Sequence, residues 1–169
     1  MDLSNEVFEA YAQKRINQKE LYDKVGAQEQ GFDECLYKEV LSACNAKDFE
    51  RIEYLVFALF FCEDVLQLYR FAEVLNDLLD SDWHKQHEDI VTLLQKAKCE
   101  SSVDSLYRLI IKRPTYLEWD ENHALEIKCT RTLKSIGSEK AIERLKMLTS
   151  SDVDKIRICA EKQLEKMME

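Results

Sequence analysis

Only four residues of this 169-residue chain are glycine or proline: Gly26, Gly31, Gly137 and Pro114. At average usage of about 7% Gly and 5% Pro, a chain of this length would hold roughly 20. Sandwiches and barrels turn often and need many more such residues, so all-β folds are disfavoured. Three dispersed glycines cannot make G-x-G-x-x-G or a Walker loop, which removes glycine-cradled nucleotide binding. What remains is helix. The chain is 46% hydrophobic and 34% charged, a mixture that suits amphipathic helices. Its length suits one domain, residues 1–169, with a substantial core.

Apolar residues recur at helical spacing along nearly the whole chain. Val7, Phe8, Tyr11, Ala12 and Ile16 share a face of a first helix, with Ser4 at its N-cap. Leu21 and Val25 mark a second that stops at Gly26, and Phe32, Leu36, Val40, Leu41 and Cys44 a third. Ile52, Leu55, Val56, Leu59 and Phe60 define a fourth, and Val65, Leu68, Ala72, Leu75 and Leu79 a fifth. The short Cys62-Glu63-Asp64 connection predicts that these two form a tight antiparallel pair or one bent helix. A sixth helix spans His87 to Ala97. Ser101-x-x-Asp104 reads as a capping box for a seventh, which Arg113-Pro114 ends. Residues 115–122 form a loop, and Asp120 or Asn122 caps an eighth helix that runs to Gly137. Ser138 caps a ninth, and a tenth follows the polar turn at 149–154.

The second half repeats itself. Leu125-Glu126-Ile127-Lys128-Cys129-(x3)-Leu133 aligns with Ile156-Arg157-Ile158-Cys159-Ala160-(x3)-Leu164 at an offset of 31 residues. Ser102 to Leu109 aligns with Ser138 to Leu145 at an offset of 36. A helix-pair unit of this size is the signature of an α-solenoid, because one pair cannot bury its apolar face alone.

These stretches, with Tyr116-Leu117-Glu118-Trp119-Asp120 ahead of them, resemble the HEAT-like repeats of bacterial immunity proteins from contact-dependent growth-inhibition and other polymorphic toxin systems. The resemblance covers about residues 102–167. It implies an all-α, HEAT-like α-solenoid of about nine or ten helices, with residues 1–85 as atypical N-terminal helices and residues 86–169 as HEAT-like pairs. It also implies a cognate toxin domain as partner. HEAT-like repeats serve adaptors too, so a scaffold for an endogenous protein is the alternative.

Charge narrows the partner. Residues 1–100 hold 11 Lys+Arg against 21 Asp+Glu, a net of −10, while residues 101–169 are close to neutral. Such a chain repels phosphate backbones, so nucleic acid is not its expected direct ligand. A basic protein would be steered toward it. Nucleases are basic because they hold phosphate. The expected toxin is therefore a nuclease, an RNase such as an EndoU-type domain by family analogy, neutralised by occlusion of its active or substrate-binding site.

Little else in the sequence speaks of chemistry. His84-x-x-His87-Glu88-Asp89 is the one metal-like cluster, and it reads as a polar helix start without H-E-x-x-H or E-x-x-H. The cysteines Cys35, Cys44, Cys62, Cys99, Cys129 and Cys159 lack C-x-x-C spacing and sit mostly in apolar helical stretches, where a thiol acts as a small hydrophobe. No catalytic residue, metal or cofactor is expected. The acidic N-terminus lacks a signal-like apolar stretch, and the longest apolar run, Leu55 to Cys62, is too short to span a membrane, so the expected location is cytoplasmic.

The sharpest local feature is a pair of acidic, aromatic junctions between helices. One carries Asp77, Asp80, Asp82 and Trp83; the other carries Tyr116, Glu118, Trp119, Asp120 and Glu121. Trp and Tyr beside charges are typical of interface hot spots, and these nine residues are the expected partner-binding set. Each Trp could instead plug a small core beneath its loop. The aromatics Phe57, Phe60, Phe61, Tyr69 and Phe71 read first as a core stripe; Phe57 and Phe61 share a helix face distinct from Ile52, Leu55 and Leu59, which leaves a partner surface on part of it as the alternative.

Overall fold

With so few glycines, the chain also ends helices on lysines held in the left-handed conformation. The computed structural model describes residues 1–168, and among these it contains ten α-helices and no β-strand. They are α1 (Asn5–Ala12), α2 (Gln18–Val25), α3 (Phe32–Ala46), α4 (Phe49–Phe61), α5 (Ala72–Leu79), α6 (His87–Ala97), α7 (Val103–Ile111), α8 (Ala124–Ile136), α9 (Glu139–Leu148) and α10 (Asp154–Met168). α2 and α8 stop on Gly26 and Gly137, each at φ 68°, as the glycine positions predict. α3 and α6 stop on Lys47 and Lys98, at φ 51° and 53°, where a Cβ crowds the backbone.

Some local expectations change. Ser4 stands at the N-cap of α1, but its hydroxyl makes no cap bond. The fifth apolar stretch is not one helix. Leu68–Phe71 forms a 3₁₀ turn before α5 begins at Ala72, and α5 packs on α3, α6 and α7 rather than pairing tightly with α4. Leu41 and Val65, inward by pattern, are exposed. Ser101-x-x-Asp104 forms no capping box, because residues 100–102 make a 3₁₀ turn into α7 without a side-chain cap. Asp104 instead reaches α9, pairing with Lys140 Nζ at 2.6 Å and Arg144 Nη2 at 2.9 Å. Those cations hold its carboxyl below the usual range. Ser138 does cap α9, accepting from the Ala141 amide at 3.2 Å.

From α3 onward each helix touches the helix two places further on: α3 meets α5, α4 meets α6, and so on to α8 with α10. The buried hydrophobics form a core cluster that runs from Leu3 to Ala160. Positions matched by the repeat share their burial. Leu125 and Ile156 are both buried, as are Cys129 and Ala160, and Leu109 and Leu145. The match weakens at its end, where Leu133 is fully buried but Leu164 only partly so. α10 is the last described helix, so no later helix among the described residues covers that end.

Candidate functional site

The segment joining α7 to α8 is anchored at both flanks and free at its tip. Pro114 at its start is buried. From the same end the Arg113 guanidinium turns back, donating to the Asp120 carbonyl and lying 3.1 Å from the Glu126 carboxylate on α8. At the far end Asp120 caps α8. Its Oδ2 accepts from the Ala124 amide and its Oδ1 from the Asn122 amide, both at 2.9 Å, and these bonds depress its pKa. Of the two expected caps, Asp120 is therefore the one used. Successive turns bring the Leu117, Glu118 and Asp120 amides onto carbonyls three residues back.

That frame carries Trp119 outward. Its side chain is 90% exposed, more than any other large hydrophobic among the described residues. Glu118 and Glu121 beside it are exposed, and neither carboxylate is paired with a described residue. Trp119 thus plugs no core. An apolar ring of this size, normally worth a few kcal/mol when buried, is held in water by ordered backbone.

Tyr116 holds the other side of the loop. It is half-buried, and its hydroxyl lies 3.1 Å from Nδ1 of His87 and 3.2 Å from the Lys85 carbonyl. Burial pushes its phenol up to about 12. The contact brings the second acidic junction, residues 77–83, alongside the first. There Trp83 is half-buried and edge-on to His84, with ring centroids 5.0 Å apart. Asp80 is engaged within the chain, receiving a forked bond from Arg108 at 2.9 and 2.5 Å and one from Ser105 at 3.1 Å; the Arg108 bonds hold its pKa down. Asp77 and Asp82 are exposed. Of the nine expected contact residues, five are therefore free to meet a partner: Asp77, Asp82, Glu118, Trp119 and Glu121. Asp80 and Asp120 hold the junctions in place, and Tyr116 and Trp83 stand between the two roles.

His84 and His87 are not a solvated helix start. Both are 1% exposed and their rings stack with centroids 4.6 Å apart. The Gln86 amide donates to Nδ1 of His84, so Nε2 carries the proton that bonds the Leu78 carbonyl at 2.8 Å. Nε2 of His87 likewise faces the Ser81 carbonyl at 2.9 Å. Burial lowers both pKa values, that of His87 to about 4. Neutral His84 has no free lone pair for a metal, and the one lone pair of His87 faces the Tyr116 hydroxyl. Among the described residues no group of three His, Cys, Asp or Glu side chains is placed to hold a metal ion.

The thiols are no better placed for chemistry. All six cysteines are free, and burial pushes Cys44 up to about 11, Cys62 up to about 12, and Cys99, Cys129 and Cys159 upward as well. A protonated thiol is a poor nucleophile. No described helix is long and apolar enough to cross a membrane.

The aromatic patch is only in part a core stripe: Phe71 is fully buried, Tyr69 is exposed, and the aromatic face of α4 is partly open. Phe57 and Phe61 are only partly buried, and with Tyr11 and Ile16 they line a groove of about 740 Å³. Sequence pattern missed two further features: the Arg113–Glu126–His123 cluster and the His84–His87–Tyr116 strut. Arg113 sits in a predicted terminator and Glu126 within an amphipathic helix, so neither looked buried or paired. Comparison with protein-family models, with curated proteins and with solved structures returned no match.

Proposed function

We propose that this chain is a helical-repeat protein-binding module, an α-solenoid of HEAT-like pairs in its C-terminal half. In this reading it acts in the cytoplasm as an immunity protein that neutralises a basic nuclease toxin. The observation that carries the binding role is Trp119, 90% exposed on an anchored loop beside Glu118 and Glu121, neither of which pairs with a described residue. Contacts between each helix and the next but one support the stacked arrangement. The resemblance over residues 102–167 supports the immunity role, and the net charge of −9 supports a cationic partner. Neutralisation then proceeds by occlusion. Glu118, Glu121, Asp77 and Asp82 pair with Lys or Arg that otherwise hold phosphate, and Trp119 supplies the desolvated centre. No chemistry by this protein is required.

The test is co-expression with the toxin-like domain encoded by the neighbouring reading frame. Wild-type protein should protect cells and bind with an association rate that falls as salt rises. Trp119→Ala and the Glu118→Lys/Glu121→Lys pair should weaken binding by at least about 2 kcal/mol while the circular dichroism spectrum stays helical. Folded variants that protect with unchanged affinity would remove the loop from the interface. Wild-type protein that never protects would turn the reading toward a scaffold for an endogenous partner.

A further inference from the structure

A second surface has the opposite character from the Trp119 loop. α8 and α10 lie against each other and leave a groove of about 570 Å³ between them. Arg131 and Lys134 of α8 face Lys155, Lys162 and Lys166 of α10 across it, and among the described residues no carboxylate lines it. The chain has 33 acidic against 24 basic side chains, so a groove lined by five cations and no described carboxylate is a departure from its composition. Elsewhere some basic side chains are tied up in ion pairs, Arg51 with Glu39, Arg108 with Asp80, Arg144 and Lys140 with Asp104, while others stand singly on the surface. Arg131, Lys134 and Lys162 form no ion pair with a described residue. The sequence builds the groove by helical spacing, with Lys155, Lys162 and Lys166 on one face of α10 and Arg131 and Lys134 on one face of α8.

The groove is also apolar in part. Ile158 lines it and is 58% exposed. One exposed charge contributes little by itself, but several of one sign converging on a concave surface focus the field. We propose that this groove is a docking site for an acidic segment of a partner protein, one that carries an aliphatic side chain seated on Ile158. Nucleic acid fits less well. Among the described residues no aromatic side chain lines the groove for a base to stack on, and an aliphatic seat at Ile158 suits a peptide side chain better than a phosphate backbone. A second copy of the chain fits less well too. Joining this groove to the acidic half of another copy makes a heterologous, head-to-tail contact between molecules that repel overall. At one end Lys155 donates to the Glu121 carbonyl at 2.8 Å and to Asn122 Oδ1 at 3.2 Å, so the groove adjoins the Trp119 loop. The proposal stands without that loop, since it rests on the groove's own charge and shape.

The test is titration of the full ¹⁵N-labelled chain with a synthetic peptide of Asp and Glu around a central Leu. A lysine-rich peptide of equal length and a single-stranded RNA oligonucleotide serve as comparisons. The expected result is saturable shifts confined to residues of α8 and α10 that face the groove, weakened by salt. Arg131→Glu with Lys162→Glu should raise Kd about tenfold or more, and Ile158→Ser should raise it by a smaller factor. Lys134→Ala with Lys162→Ala, which keeps strong helix formers, reads the same loss should charge reversal disturb the helices. The proposal is overturned by shifts absent from α8 and α10, by a variant that binds as well as wild type, or by RNA binding there more tightly than the acidic peptide. A dimer in sedimentation that Arg131→Glu/Lys162→Glu dissolves would give the groove to a second copy and equally overturn it.

Discussion

The Tyr116 hydroxyl lies 3.1 Å from Nδ1 of His87, a contact between residues 29 positions apart. It ties the loop before α8 to the first turn of α6, and through the stacked His84 ring it reaches the segment after α5. Two acidic junctions that are separate in sequence thereby become neighbours. The strut is built entirely from neutral groups, and that makes it sensitive to acid.

Burial lowers the pKa of His87 from 6.5 to about 4, with the neighbouring His84 adding to the effect. In the unfolded chain the ring returns to about 6.5. Below that pH the unfolded state takes up a proton that the folded state refuses. The contribution of His87 is therefore full above about pH 6.5, falls as the pH drops from there to about 4, and changes no further below. The displacement corresponds to about 3 kcal/mol across that window. His84, also lowered by burial, acts in the same direction. Urea midpoints measured from pH 7.5 to 5 should fall for wild type and change much less for His87→Gln, which keeps a donor and an acceptor. Parallel curves for the two proteins would contradict a buried neutral pair.

Asp120 and Glu118, two residues apart, should separate stability from binding. Asp120→Ala removes a bond to the Ala124 amide at the start of α8 and one to the Asn122 amide in the turn before it, and the melting temperature should fall by roughly 2–4 °C. Glu118→Ala removes an exposed, unpaired carboxylate, so the melting temperature should hold while the association rate with a cationic partner drops. Equal thermal effects from the two would mean that Asp120 is not the cap.

The repeat alignment predicts equal roles for Leu133, Leu145 and Leu164, whereas the packing grades them. Leu133 and Leu145 are fully buried, and truncation to Ala should cost about 2–5 kcal/mol each. Leu164 is partly exposed and should cost clearly less. Denaturant unfolding of the three variants measures the order, and a Leu164→Ala loss as large as the others would return the repeat to full equivalence.

What the pattern captured and what it missed follow from range. The helical class, the ends of α2, α6 and α8, and the Ser138 cap depend on residues within a few positions of each other, and a sequence displays those directly. The Ser101–Asp104 pair has capping-box spacing, yet Asp104 is drawn away by Lys140 and Arg144, which lie about 40 positions later and meet it only because α7 packs on α9. His84 and His87 looked solvated because their partners are backbone carbonyls and a distant tyrosine. At the candidate surface the sequence singled out, through its Trp among carboxylates, the loop whose Trp119 is exposed. It could not sort Asp80 and Asp120, held by intrachain bonds, from Glu118 and Glu121, which are not.

The shortage of glycine leaves a mark on stability that can be reversed. Lys47 and Lys98 end α3 and α6 at φ 51° and 53°, and both are exposed. Their amides still close the last turns, Lys98 onto the Leu94 carbonyl and Lys47 onto those of Ala43 and Cys44. A side chain in this conformation costs about 1 kcal/mol relative to glycine, whereas glycine adds entropy to the unfolded chain. Lys98→Gly and Lys47→Gly should therefore each stabilise the protein by about 0.5 kcal/mol, unlike almost any other exposed Lys→Gly change. Lys96→Gly, two residues earlier at a right-handed position of α6, is the comparison and should destabilise by at least about 0.5–1 kcal/mol, since it also removes the pairing of Lys96 with Glu63. Gly137→Ala closes the argument from the other side. A Cβ there would come no nearer than 3.5 Å to the Lys134 carbonyl, so any loss reports backbone strain at φ 68° and not a clash. That loss should be about 1 kcal/mol. If Lys98→Gly and Lys96→Gly lower the urea midpoint equally, the left-handed cap at Lys98 is not formed in solution and α6 frays before it.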